Sequence, residues 1–169
     1  MLQYVEKVTT VAVFLTALSI IYVCGWSLFH RSKEPQLSIR LQRGEIIASL
    51  PRVSYQQASR TLLIAVNSDC SYCRESAPFY KRLSELQTAN RSQIIAISPN
   101  DEREAREFLQ THDVKVEVVA SVDLRKLGIT GTPTLVLIDN EGKVNDFWMG
   151  ALTPEQQEQV VKGLNPPTS

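Results

Sequence analysis

Two cysteines three positions apart, Cys70 and Cys73 in the run Cys-Ser-Tyr-Cys, are the residues of this 169-residue sequence best equipped for chemistry. A dithiol at this spacing can pass two electrons. One thiolate attacks a disulfide, and the second cysteine displaces the mixed disulfide that results. An apolar run, Thr61 to Val66, ends just before the motif, and a helical pattern starts within it. A strand-to-helix junction places the first cysteine at a helix N-terminus, where unpaired N–H groups and a partial positive charge favour a thiolate. Cys70 is therefore the expected nucleophile. Cys73, about one turn on and on the same face, is the expected resolving thiol.

Two plainer readings compete, half of a metal site and a pair of inert core cysteines. A closed zinc site needs two further ligands. The histidines, His30 and His112, are remote in sequence, and the third cysteine, Cys24, lies in an apolar run. Three cysteines are also too few for a disulfide framework. No metal and no cofactor are expected.

The elements that must position the dithiol follow from periodicity. Thr61 to Val66 and Gln93 to Ser98 are continuous apolar runs that read as buried strands. Arg74 to Asn90 carries Phe79, Leu83 and Leu86 on one face, a helix with Pro78 expected to kink it. Asp101 to His112 is a second helix, with Ala105, Phe108 and Leu109 facing inward. A short strand follows at Val116 to Val119 and a helical turn at Asp123 to Leu127. Thr134 to Ile138 and Lys143 to Trp148 form a hairpin about Asn140-Glu141-Gly142. Thr153, Pro154 and Gln156 spell a capping box for a last helix, whose buried stripe is Val160, Val161 and Leu164. Strands alternating with helices, then a hairpin, predict an α/β fold with a central mixed sheet flanked by helices.

A second chemical signal is Gly131-Thr132-Pro133-Thr134, just ahead of a buried strand. Proline is tolerated there only at a strand start or edge, and an X-Pro bond adopts cis at modest cost. With the dithiol, this loop resembles the thioredoxin superfamily, and most closely its membrane-anchored, TlpA-like thiol–disulfide oxidoreductases. The resemblance runs from Thr61 to Leu164. It includes Pro78 five residues after Cys73, the extra helix and strand Asp101 to Val119, and the Leu-Ile-Asp-x-x-Gly hairpin. It implies a thioredoxin-like fold, a cis Pro133 packed against the dithiol, and a Thr132 backbone that pairs with an incoming peptide as in strand addition. It also implies substrate contacts at Ser71 and Tyr72, a protein disulfide substrate and an upstream dithiol electron donor.

The sequence departs from that pattern where acids are expected. The buried acid six residues before the first cysteine is replaced by Ile64, and the preceding tryptophan by Asp69. A glutamate three residues after the second cysteine is replaced by Ser76, and Glu75 would point about 100° away. No general base for Cys73 is evident, and Asp69 is expected to raise the Cys70 pKa by like-charge repulsion. The missing acids keep open a binding module on the same scaffold, with the dithiol as a structural clip. A peroxiredoxin reading fails locally, because Asn67 stands where a threonine is needed.

The remainder of the chain reads as a tether. Val8 to Phe29 is a charge-free run of 22 positions, where about 20 suffice to cross a bilayer. Tyr4, Tyr22 and Trp26 lie towards its ends. A cleaved signal peptide is the rival, but the run is long for one and no small-residue cleavage site follows. The organisation expected is a tail over 1–7, a single transmembrane anchor over 8–29, a basic linker with a hairpin about Gly44 over 30–59, and a thioredoxin-like domain over 60–169. Formal net charge is zero, which argues against nucleic acid as a partner. The linker carries Arg31, Lys33, Arg40, Arg43 and Arg52 against Glu34 and Glu45, and suits anionic headgroups as well as plain solvation. From Thr61 onward 15 acidic residues face 11 basic ones. The linker's positive charge, taken alone, favours a cytoplasmic domain. The resemblance favours the periplasm or an equivalent space, and the expectation here follows the resemblance.

Overall fold

The computed structural model describes residues 41–87 and 92–165. The expected tail, anchor and first part of the linker lie outside these residues. Among the described residues, no helix is long and apolar enough to cross a membrane.

Five strands form one mixed sheet: β1 (Arg60–Ala65), β2 (Ser92–Ile97), β3 (Glu117–Val119), β4 (Thr134–Asp139) and β5 (Val144–Met149), in the order β3-β2-β1-β4-β5. β1 pairs in parallel with β2 and antiparallel with β4, β2 pairs in parallel with β3, and β4 with β5 is antiparallel. The central strands are apolar at successive positions because both faces of the sheet are covered. On one face Leu62, Ile64 and Val66 join Ile94, Ala96, Leu135 and Leu137 in a core. On the other, Leu63 and Ala65 join Ile95, Ile97, Val136 and Ile138.

The α-helices are α1 (Ser71–Glu75), α2 (Ala77–Gln87), α3 (Glu102–Thr111) and α4 (Pro154–Leu164). Cys73, Phe79, Tyr80, Leu83, Phe108, Leu109, Val160 and Leu164 all bury against the first face. The expected helix Arg74 to Asn90 is thus two helices. It starts earlier, at Ser71, and breaks at Ser76, and its last three expected residues lie outside those described. Pro78 explains the break, since its ring would meet the Arg74 carbonyl and it has no N–H to give. The Ser76 carbonyl instead accepts from the N–H groups of both Phe79 and Tyr80. α4 has the expected capping box, Thr153 and Gln156 each bonding the other's backbone N–H, with Pro154 as its first residue.

The second face is covered by Leu41, Ile47, Leu50 and Tyr55 from the stretch expected as linker and hairpin, and by Leu127 and Ile129 beyond a 3₁₀ turn at Leu124–Leu127. The chain does turn at Gly44, but the described residues after it pair with the start of β5 rather than with a local strand. Gly44 donates to the Val144 carbonyl, Val144 to that of Glu45, and Ile47 to that of Gly142.

Candidate active site

Asn67 and Asn100 build the loop between β1 and α1. Asn67 accepts from the Asp69 N–H with its side chain (2.9 Å) and from the Cys70 N–H with its carbonyl (3.1 Å). Asn100, beyond β2, accepts from the Ser68 N–H (3.1 Å) and the Ser98 hydroxyl (3.0 Å). Arg74 reaches back to the Ser68 carbonyl at 3.0 Å. Residues from two neighbouring strands therefore fix where Cys70 emerges.

Cys70 is the N-cap of α1, its sulfur accepting from the Cys73 N–H at 3.3 Å. Its thiol also points at the Thr132 carbonyl, 3.3 Å away. Burial works to raise the Cys70 pKa. Hydrogen bonds from the Cys73 thiol, from the Thr132 side-chain hydroxyl and from the Cys73 and Tyr72 backbone N–H groups outweigh it and hold the thiol below its ordinary value. The expected opposition from Asp69 is not what governs Cys70. Asp69 is exposed, where water and salt screen its charge, while the bonds to the sulfur are direct.

Cys73 is fully buried, in the core beneath α1 and α2. Burial first, then its hydrogen bond with Cys70, pushes its thiol up to about 12. The two sulfurs differ in the sense required of an attacking and a waiting thiol. Both cysteines are free.

The Thr132–Pro133 peptide is cis, as the resemblance implies. Pro133 is buried and Thr132 half-exposed. The loop is tied down by the Gly150 N–H to the Pro133 carbonyl (2.7 Å) and by the Thr134 hydroxyl to the Gly131 carbonyl (2.7 Å). Ser71 and Tyr72 are exposed beside the dithiol, Tyr72 with 58% of its surface free. Met149, opposite Thr134 across β4 and β5, is another exposed apolar residue at this end of the sheet. All six residues singled out by sequence, Cys70, Ser71, Tyr72, Cys73, Thr132 and Pro133, thus belong to one surface or lie just beneath it.

The positions lacking acids are occupied as follows. Ile64 is buried core, Ser76 caps α1, and Glu75 is exposed. Sequence reasoning passed over two contributors. Asn100 lies 30 residues beyond Cys70 and acts only through the fold. Tyr80 is a core residue whose hydroxyl is buried without a hydrogen-bond partner among the described residues. Its signal was a tyrosine seven residues past Cys73 on an otherwise apolar face. Among the described residues, no cluster of histidine, cysteine, aspartate and glutamate is arranged to hold a metal ion.

A family model described as a thioredoxin-like domain matches residues 52–165. The chain is 21% identical over 150 residues to the thioredoxin-like protein YneN of Bacillus subtilis, covering 80% of this chain and 86% of that protein. It is 28% identical over 101 residues to the thiol-disulfide oxidoreductase ResA of Bacillus thuringiensis, covering 57% of this chain and 58% of that one. Among solved structures it is similar to a Chlorobium tepidum protein assigned as the thiol:disulfide interchange protein DsbE. The TM-score is 0.60 at 26% identity, over 73% of this chain and 95% of that one.

Proposed function

The chain belongs to the thioredoxin-like domain family, as a thiol–disulfide oxidoreductase of thioredoxin-like type, and from that premise we propose that Cys70 and Cys73 exchange electrons with protein disulfides at the surface formed by Ser71, Tyr72, Thr132 and Pro133. The observation that carries this reading is the inequality of the two thiols. Cys70 is partly exposed and held below its ordinary pKa, whereas Cys73 is buried and held well above it.

In the reducing direction, the Cys70 thiolate attacks one sulfur of the substrate disulfide. A bond forms between Cys70 and that sulfur, and the other substrate sulfur leaves as a thiolate and takes up a proton. Cys73 then loses its proton and attacks the Cys70 sulfur. The Cys70–Cys73 disulfide forms, and the second substrate sulfur leaves and is protonated. Two electrons and two protons pass from dithiol to substrate, and an upstream dithiol donor restores the starting state. On this reading the carbonyl of half-exposed Thr132, an acceptor for the Cys70 thiol, would accept an N–H from the extended substrate backbone.

The same reading takes residues 8–29 as a single membrane anchor and places the domain outside the cytoplasm. The charge-free run supports the first part, and the resemblance to TlpA-like proteins the second. Two experiments test it. Full-length protein in detergent should reduce insulin or glutathione disulfide, and a Cys70→Ser chain should not. A periplasmically active reporter fused after Ser169 should be active, and a cytoplasmic one silent. Loss of no activity in Cys70→Ser, or the opposite reporter pattern, defeats the corresponding half.

A further inference from the structure

A groove of about 370 Å³ opens beside the loop that carries the dithiol. Ser68 and Arg74 line it from that loop and α1, and Arg103, Glu104, Glu107 and Phe108 line it from α3. Such a volume suits a small molecule or a short stretch of one.

The charges in the groove are not all paired. Arg103 and Glu107 bond to each other at 3.4 Å. Arg74 and Glu104 have opposite charges too, yet among the described residues neither makes an ion pair. Both are held through Ser68 instead. The Arg74 guanidinium donates to the Ser68 carbonyl at 3.0 Å. Asn100 accepts from the Ser68 N–H at 3.1 Å and donates to the Glu104 carboxylate at 2.9 Å. A cation and an anion are thus fixed to the two backbone groups of one residue, and neither neutralises the other. A complementary ligand brings a carboxylate for Arg74 and an ammonium for Glu104. The α-amino-acid head carries both charges on one carbon.

The place of the groove says what that head is attached to. Ser68 stands two residues before Cys70, a span of at most about 7 Å. The Arg74 N–H donates to the Cys70 carbonyl at 3.2 Å. We propose that the groove binds the α-amino-acid head of a low-molecular-weight disulfide, held on an arm about two residues long that leaves its sulfur at Cys70. This rests on the exchange reading above and adds a class of small substrate to it. The chemistry is that same exchange. The Cys70 thiolate attacks the sulfur whose arm lies in the groove, and the other half leaves as a thiolate and is protonated. Cys73 loses its proton and attacks Cys70, and the bound half leaves as a second thiol. Arg74 and Glu104 keep their charges throughout and act by positioning the arm.

The test uses the full-length, pre-reduced chain in detergent with Cys24→Ser, so that the dithiol alone reports. Glutathione disulfide is the probe, because its γ-glutamyl arms end in such heads. Two analogues keep the same disulfide and arm length: glutaryl in place of γ-glutamyl removes the ammonium, and 4-aminobutyryl removes the carboxylate. Dithiol oxidation is followed by alkylation and mass spectrometry, with insulin as a protein substrate in parallel. Glutathione disulfide should react about tenfold faster than either analogue. Arg74→Gln should erase its advantage over the 4-aminobutyryl analogue and keep that over the glutaryl one. Glu104→Gln, which can still accept from Asn100, should do the reverse. Equal rates for the three disulfides in a chain that reduces insulin would overturn the proposal and leave the exchange reading standing. So would variants that slow all three alike, since the two residues would then only support the loop. A chain that reduces neither insulin nor any of the three would defeat the exchange reading itself.

Discussion

The sulfur of Cys70 lies 3.3 Å from the carbonyl oxygen of Thr132, a residue 62 positions further along the chain. That contact joins the dithiol at the end of β1 to the loop that opens β4. These strands are antiparallel neighbours at the centre of the sheet, with Ala65 opposite Thr134. Neither motif could form the surface alone. The pairing of β1 with β4 brings a nucleophile and a backbone acceptor to the same place.

The two thiols make the reduced protein pH-sensitive in opposite senses. Cys73 is raised to about 12, so it stays protonated in the folded state while an unfolded chain ionises near 8.5. The unfolded state then binds fewer protons, and stability falls as pH rises above about 8.5, by at most about 1.4 kcal/mol per pH unit from this group. Cys70 is lowered, so its contribution is present above its unfolded value and is lost as pH falls through the folded one. Denaturant titrations of the reduced protein from pH 7 to 10.5 should show falling stability, and Cys73→Ala should flatten the fall. An identical pH dependence in both proteins would contradict the burial argument.

Asn100→Ala should disturb the active loop from a distance. It removes acceptors for the Ser68 N–H and the Ser98 hydroxyl and a donor to Glu104. A loss of about 1–2 kcal/mol is expected in chemical denaturation. Cys70 should also be alkylated more slowly by iodoacetamide at pH 7, because its helix-capping position loosens. Unchanged alkylation would mean that Asn67 alone sets the loop.

Gly142 turns the chain between β4 and β5 at φ +82°, where a Cβ would also come within 3.1 Å of the Tyr55 ring. Gly142→Ala should therefore destabilise by about 1–2 kcal/mol, read as a lowered melting temperature with little change in dithiol reactivity. A neutral substitution would show that Tyr55 and the turn yield easily.

Much of this arrangement was legible in the sequence, because its signals are local. The strands β1, β2 and β4 are continuous apolar runs, and Thr153, Pro154 and Gln156 mark the start of α4 without reference to anything distant. The dithiol and the Pro133 loop were legible as motifs in the right order. What escaped depends on long-range packing. Leu41, Ile47 and Leu50 are scattered among polar residues with no period, and only the uncovered face of the sheet makes them core. The break at Ser76 sits before Pro78 rather than at it, because the proline acts on the carbonyl of the preceding turn. Asp69 is next to Cys70 in sequence, but the direction of the Cys70 pKa follows from hydrogen bonds donated by the Cys73 thiol, the Thr132 hydroxyl and the Cys73 N–H.

The central claim is that Cys70 attacks and Cys73 resolves, and trapping tests it most directly. The full-length Cys73→Ser and Cys70→Ser chains, each with Cys24→Ser, would be incubated with a disulfide-bonded protein and analysed by non-reducing electrophoresis and mass spectrometry. The predicted result is a stable mixed disulfide through Cys70 in Cys73→Ser and none in Cys70→Ser. Mixed disulfides that accumulate through Cys73 in Cys70→Ser, with none in Cys73→Ser, would contradict it.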